Sequence, residues 1–199
     1  MRTKNKPEVL VACEFTGVVR DAFLSQGCNA ISCDLLPTEV QGPHYQGDVL
    51  DILYGRYDLI IAHPPCTYLS NAGGFRLYKD KDRLMRLDDG VAFFRLFLDH
   101  PCKRICIENP IMHCWAKAIV GKDYTQIVQP WQFGHNESKA TCLWLKGLPK
   151  LQPTCISLKH KSVTQDKFYD FDMKDLGKER SRTYKGIAKA MASQWSPYL

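Results

Sequence analysis

Residues 57–66 read Tyr57-Asp58-Leu59-Ile60-Ile61-Ala62-His63-Pro64-Pro65-Cys66. The run Tyr57–Ala62 is short, apolar and continuous, and two prolines stop it, the pattern of a buried strand. Those prolines also fix the backbone before Cys66, so its sulfur is presented on a rigid, non-helical turn. A strand that ends abruptly in a reactive side chain sets the question for the rest of the chain.

Upstream, Glu8–Phe15 forms a second apolar run with β-branched members, and Val19–Gln26 reads as a helix with Gly27 as its left-handed stop. Asn29–Cys33 is a further strand ending at Asp34, followed by a loop containing proline and glycine, then Gly47-Asp48 and a short helical turn. Downstream, Leu84, Leu87, Val91, Phe94 and Leu98 recur at steps of three and four, one stripe of an amphipathic helix packed on a sheet. Arg104–Ile107 is a buried strand ending at Glu108-Asn109-Pro110, Ala140–Leu145 is another strand, and Gly186–Trp195 is a final helix. Strands alternating with helices predict an α/β fold, a Rossmann-like, mostly parallel open sheet with helices on both faces. Ligands of such sheets sit beyond the C-terminal strand ends. Here those ends are Phe15-Thr16-Gly17, Asp34, His63–Cys66 and Glu108-Asn109-Pro110, all expected on one edge.

The chain has 199 residues, enough for one core, so residues 1–199 are read as a single domain. Apolar and charged fractions of 45% and 24% are globular values and exclude a disordered or fibrous chain. The formal net charge of +6 is compatible with a polyanionic partner without requiring one. Nine cysteines without any Cys-x-x-Cys pair argue against a structural zinc site, and several lie in apolar runs, such as Cys13 and Cys106, as small core side chains of a reducing compartment. The apolar stretch near the N-terminus is broken by Glu14 and Arg20, so neither a signal peptide nor a membrane span is expected, and the expected location is the cytoplasm.

The strand ends carry distinct chemistries. Gly17 allows close approach of the backbone to a ligand. Asp34 can accept hydrogen bonds from both hydroxyls of a ribose, and Asp48 from an exocyclic amine such as that of adenine. Each aspartate read alone is equally a turn residue or a helix cap, but in this order they outline an adenosine pocket. Cys66 is a candidate nucleophile, an inert buried thiol being the alternative. Glu108, held beside an aromatic base, could have a raised pKa and donate a proton; the plainer reading is a salt bridge or cap.

The series Phe15-Thr16-Gly17, Gly47-Asp48, Pro64-Pro65-Cys66 and Glu108-Asn109-Pro110 resembles the ordered motifs of the cytosine-5 DNA methyltransferase family, and small phage-type members in particular. The resemblance runs through residues 8–149 and returns at Ser181–Trp195. It implies a methyltransferase fold, S-adenosylmethionine as cofactor and double-stranded DNA as partner. It places Phe15, Thr16, Gly17, Asp34, Asp48 and Pro64 at the cofactor, with Ser181–Tyr184 loosely matching the segment that closes over it. Cys66 is implied as the nucleophile on carbon 6 of cytosine, and Glu108 as the group that protonates or hydrogen-bonds ring nitrogen 3. Ser70 and Asn71 fall in a stretch, Ser70–Gly73, like the family's mobile catalytic loop.

Departures from the family pattern are specific. Val18-Val19 stands where more glycine is expected, and Lys139-Ala140-Thr141 replaces a paired-arginine motif, leaving Lys139 to supply charge near the base. These 199 residues leave little room for a separate target-recognition domain. Residues 151–180 are the candidate recognition insertion, with Lys159 and Lys161 as phosphate contacts or as part of a solvated loop. The same chemistry on a free cytidine nucleotide or RNA, and a catalytically silent nucleic-acid-binding module, are the competing readings; a silent module needs neither Cys66 nor Glu108.

Overall fold

Parity along the strands divides the core in two. In β1 (Glu8–Ala12) and β4 (Leu59–Ala62), Val9, Val11, Leu59 and Ile61 face one side of the sheet, and Leu10, Ala12, Ile60 and Ala62 face the other. Successive strand side chains point to opposite faces, so a strand apolar at every position must be covered on both. In the computed structural model, which describes residues 6–71, 81–157, 161–162 and 181–199, helices do this. On the first face pack α1 (Val18–Ser25) and the C-terminal helix, α4 (Lys185–Trp195), through Val19, Phe23, Ile187, Met191 and Trp195. The second face is covered by α2 (Lys81–Leu98) and α3 (Cys114–Val120), through Leu87, Val91, Phe94, Ala116 and Val120. Each such large apolar side chain contributes roughly 1.5–3 kcal/mol on burial.

The sheet has seven strands in the order β3-β2-β1-β4-β5-β8-β6, adding β2 (Asn29–Asp34), β3 (His44–Gln46), β5 (Ile105–Pro110), β6 (Gln126–Val128) and β8 (Thr141–Lys146). Pairings from β3 through β5 are parallel, while β8 runs antiparallel between β5 and β6. This is a Rossmann-like open α/β sheet. From β1 the chain winds outward to β2 and β3, and from β4 it winds the other way to β5. The switch point therefore lies between the C-terminal ends of β1 and β4. A separate pair, β7 (Glu137–Ser138) with β9 (Lys161–Ser162), is parallel.

Helix α3 and strands β6, β7 and β9 have no counterpart in the sequence expectation, and three further elements differ from it. β1 stops at Ala12 rather than Phe15, because Cys13 adopts a left-handed φ of 59° and turns the chain. Strand β3 arises from the loop that follows Asp34 and pairs with β2 through Ser32, Cys33 and Asp34. Glu108, Asn109 and Pro110 lie inside β5, not beyond it. They pair with Leu143, Cys142 and Thr141 of β8, whereas β4 matches β5 only as far as Ile107. β5 thus outruns β4 by three residues, and the His63–Cys66 turn occupies the edge that this leaves.

Among the described residues, no helix is long and apolar enough to cross a membrane, and no cluster of three or more His, Cys, Asp or Glu could hold a metal ion.

Candidate active site

A cavity of about 440 Å³ opens at the switch point and collects residues from all four strand ends: Glu14 and Thr16 after β1, Asp34 of β2, His63 and Cys66 after β4, and Glu108 of β5. Its volume is that of a small-molecule site. A larger open depression of about 1160 Å³ lies at the opposite edge, around Pro7, Tyr54, Arg56 and Pro197. It sits at the N-terminal strand ends, the wrong edge for a ligand of this sheet.

The turn after β1 is built by Glu14. Its buried carboxylate accepts the Val19 amide at 2.7 Å, the Arg20 amide at 3.3 Å and the Thr16 hydroxyl at 3.1 Å, satisfying otherwise orphaned N–H groups of the first turn of α1. Gly17 has φ 73°, and a Cβ there would lie 2.4 Å from Nη2 of Arg20. Glycine is required by both conformation and space. Phe15 is buried, with the Arg182 guanidinium 5.9 Å from its ring centroid. Gly17 forms the turn but is not on the cavity wall, while Phe15 and Thr16 are.

Arg20, which the sequence reading treated only as an interruption, is fully buried. It donates to Asp21 Oδ1 at 2.8 Å, Ser32 Oγ and Thr38 Oγ1 at 3.2 Å each, and the Val40 carbonyl at 3.0 Å. It therefore ties the first turn of α1 to β2 and to the loop beyond Asp34.

Asp34 lines the cavity, and its Oδ1 accepts the Leu36 amide at 2.9 Å, which leaves further acceptor capacity on the carboxylate. Asp48 stands apart from these lining residues. It caps the turn Val49–Asp51 by accepting the Leu50 amide at 2.9 Å, and it is not on the cavity wall. Cys13 packs against the core, as expected, and also lines the cavity wall. Burial and the nearby Asp34 carboxylate push its thiol well above the ordinary range. Burial likewise raises Cys106, and raises Cys33 and Cys142 to about 11, so these thiols stay protonated at neutral pH.

Cys66 is partly buried on the cavity wall, and its carbonyl accepts the Leu69 and Ser70 amides at 3.1 and 2.9 Å. Asn109, fully buried, donates from Nδ2 to the Pro64 carbonyl at 3.2 Å and so anchors the turn to β5. Its Oδ1 has no partner among the described residues; the adjoining Pro64 and Pro65 carry no N–H to offer. Pro64 itself is buried on the cavity wall.

Glu108 lines the same cavity as Cys66. His63 Nδ1 is 3.4 Å from its Oε2, and Thr141 and Lys139 complete the surroundings. Burial pushes its carboxyl up, but the hydrogen bond and charge of His63, the charge of Lys139 and the Thr141 hydroxyl outweigh burial and hold it below its ordinary value. The raised pKa expected from sequence is therefore reversed: Glu108 is a carboxylate at neutral pH. The sequence shows the pocket around Glu108 but not the donors folded onto it, of which His63, immediately before the prolines, is the one signal in plain view. Lys139 lines the cavity and stands 5.7 Å from the Tyr184 ring centroid.

Ser181 and Thr183, from the segment leading into α4, also line the cavity, and Arg182 between them forms a two-point ion pair with Glu39 at 2.5 and 2.8 Å. Of the residues expected at nucleic acid, Ser70 is buried and bridged to Met112, which removes it from the surface, while Asn71 is exposed. Lys161 pairs in β9 through its backbone, and Lys159 lies outside the described residues, as does most of 151–180.

No family model and no curated protein matches the chain. Similar solved structures include a protein described as a DNA modification methyltransferase encoded within an E. coli prophage, at 17% identity and TM-score 0.48, covering 84% of this chain and 56% of that one. The methyltransferase EhMeth of Entamoeba histolytica matches at 16% identity and TM-score 0.49, covering 77% and 58%. The Dnmt2 methyltransferase of S. pombe matches at 14% identity and TM-score 0.45, covering 85% and 56%. The chain thus spans little more than half the length of each.

Proposed function

We propose that this chain is an S-adenosylmethionine-dependent methyltransferase that methylates carbon 5 of cytosine in DNA through a covalent adduct with Cys66. The observation that carries the reading is the convergence of Asp34, Cys66 and Glu108, from three separate strand ends, on one cavity at the switch point.

The cavity suits the cofactor on its own chemistry. Asp34 offers a carboxylate to ribose hydroxyls, and the Cys13–Gly17 turn brings backbone to the wall beside it. S-adenosylmethionine supplies an electrophilic methyl group on its sulfonium. Cys66, as thiolate, adds to carbon 6 of the base and makes carbon 5 nucleophilic. Once the methyl group is on carbon 5 and S-adenosylhomocysteine is left, loss of the carbon 5 proton to solvent would expel Cys66 as thiolate and restore the 5,6 double bond. Glu108 accepts a hydrogen bond from the exocyclic amino group of the base, with the positive charge of Lys139 beside it. A base in duplex DNA must leave the stack to reach this site. Lys159, Lys161 and Asn71 are proposed contacts to the DNA, with residues 151–180 as the recognition insertion of a single catalytic domain. The mass of duplex DNA after incubation with protein and cofactor tests the reading: one added methyl group per site is expected. Methyl transfer to a cytidine nucleotide or to RNA alone would change the substrate and keep the chemistry.

Asp34→Ala is expected to weaken S-adenosylmethionine binding by about 10–100-fold, the effect of losing charge-assisted hydrogen bonds worth about 1.5–3 kcal/mol. Asp34→Asn, which can still accept the Leu36 amide, should fall between the two. Calorimetry giving unchanged affinity in Asp34→Ala would remove this residue from the cofactor site.

A further inference from the structure

His63 follows β4 directly and is held by its backbone amide, which donates to the Ala12 carbonyl of β1 at 3.0 Å. Its side chain is 8% exposed, and its two ring nitrogens differ sharply. Nδ1 is 3.4 Å from Glu108 Oε2, whereas Nε2 is buried and has no partner among the described residues. A charged imidazole carries an N–H on both nitrogens, Nδ1 included; a neutral one carries a single N–H, whose place is a choice. Placed on Nε2, that proton would be a buried donor without an acceptor, a costly arrangement; placed on Nδ1, it meets a carboxylate. The ring is thus a donor to Glu108.

We propose that His63 is a positioning residue that fixes Glu108 as a hydrogen-bond acceptor, and so commits the site to a base that presents an amino group. This rests on the function proposed above. Oε2 is taken by His63, the charge of Lys139 acts on the carboxylate and the Thr141 hydroxyl lies near it, so the surroundings of Glu108 favour an ionised acceptor. Such a carboxylate accepts from the amino group of cytosine and repels the carbonyl oxygen that uracil carries at the same place. The other titratable groups near the pair are the Cys106 thiol on β5 and the Cys142 thiol on β8, both raised by burial, with Cys66, Glu14, Asp34 and Cys13 on the same cavity wall. The lowered pKa of Glu108 agrees with the geometry.

Two near-isosteric substitutions separate the donor from the bulk of the ring. The amide nitrogen of His63→Asn can occupy the place of Nδ1, while that of His63→Gln reaches toward Nε2 instead. Carbon-13 NMR of protein labelled at glutamate carboxyls follows Glu108 directly, its resonance identified by its loss in Glu108→Gln. The Glu108 titration midpoint should move to higher pH in His63→Gln and His63→Ala and stay near the parent value in His63→Asn. The acid limb of the methyl-transfer profile should move with it, since activity needs the carboxylate and is lost as pH falls through its pKa. A midpoint unchanged in His63→Gln and His63→Ala, or shifted equally in His63→Asn, overturns the assignment. The titration needs neither DNA nor cofactor. A protein that shows the shift but transfers no methyl group would refute the proposed function and leave the role of His63 standing.

Discussion

Cys66→Ala is expected to abolish methyl transfer, by more than about 10³-fold, because the other thiol on the cavity wall, Cys13, is held protonated by burial and the Asp34 carboxylate. Cofactor binding should stay within about twofold of the parent, since the change removes one sulfur and leaves the opposite wall intact. That wall is Asp34 and the Cys13–Gly17 turn, held by Glu14 and Arg20 rather than by Cys66. The turn that carries Cys66 is fixed by two prolines and by Asn109 on the Pro64 carbonyl, so alanine is accommodated without rearrangement. Initial rates on duplex DNA, with cofactor affinity measured in parallel, check both halves. Retention of more than a few per cent of the activity would remove Cys66 as nucleophile.

The frame of this site was legible in the sequence because buried parallel strands are apolar on both faces and stop abruptly. Tyr57–Ala62 and its two prolines located β4 and the turn that carries Cys66, and the expectation that four strand ends share one edge is met by the topology. What sequence could not supply was set by long-range contacts. Strand β3 is three residues long and exists only through its pairing with Ser32–Asp34. Asp34 and Asp48 look alike as isolated acidic residues at element ends, yet one lines the cavity and the other caps a turn. Glu108 looked like a potential acid because burial alone raises a carboxyl; the donors that reverse this come from β4 and from the Lys139–Thr141 segment. Arg20 was read as a break in an apolar run, because nothing local announces that a guanidinium will be enclosed by acceptors from β2 and from Thr38 and Val40.

Arg20→Ala should destabilise the fold by about 3 kcal/mol or more, the combined cost of several lost charge-assisted hydrogen bonds and the space they leave, and lower Tm by roughly 6–12 °C. The guanidinium is fully buried and is contacted by Gly17 and Gly42, where an added Cβ would approach it to 2.4 and 2.7 Å. Its removal therefore loosens the turn after β1 and the loop after Asp34 together, and cofactor affinity should fall alongside stability. Arg20→Lys keeps a charge but cannot reach Ser32, Thr38 and Val40 from one planar group, so it should restore only part of the loss. Thermal unfolding followed by circular dichroism is the check. A Tm within about 2 °C of the parent in Arg20→Ala would show that the buried network is not a structural tie.

The central claim, methylation of cytosine through a covalent adduct with Cys66, is tested most directly with duplex DNA bearing 5-fluorocytosine. Fluorine at carbon 5 cannot leave as the proton does, so the adduct formed by Cys66 at carbon 6 is trapped after methylation. In the presence of S-adenosylmethionine the account predicts a protein–DNA complex that survives denaturation, is absent in Cys66→Ala, and maps by peptide mass to Cys66. A protein that binds the cofactor yet forms no such complex with fluorinated DNA, or forms it equally in Cys66→Ala, would contradict the account.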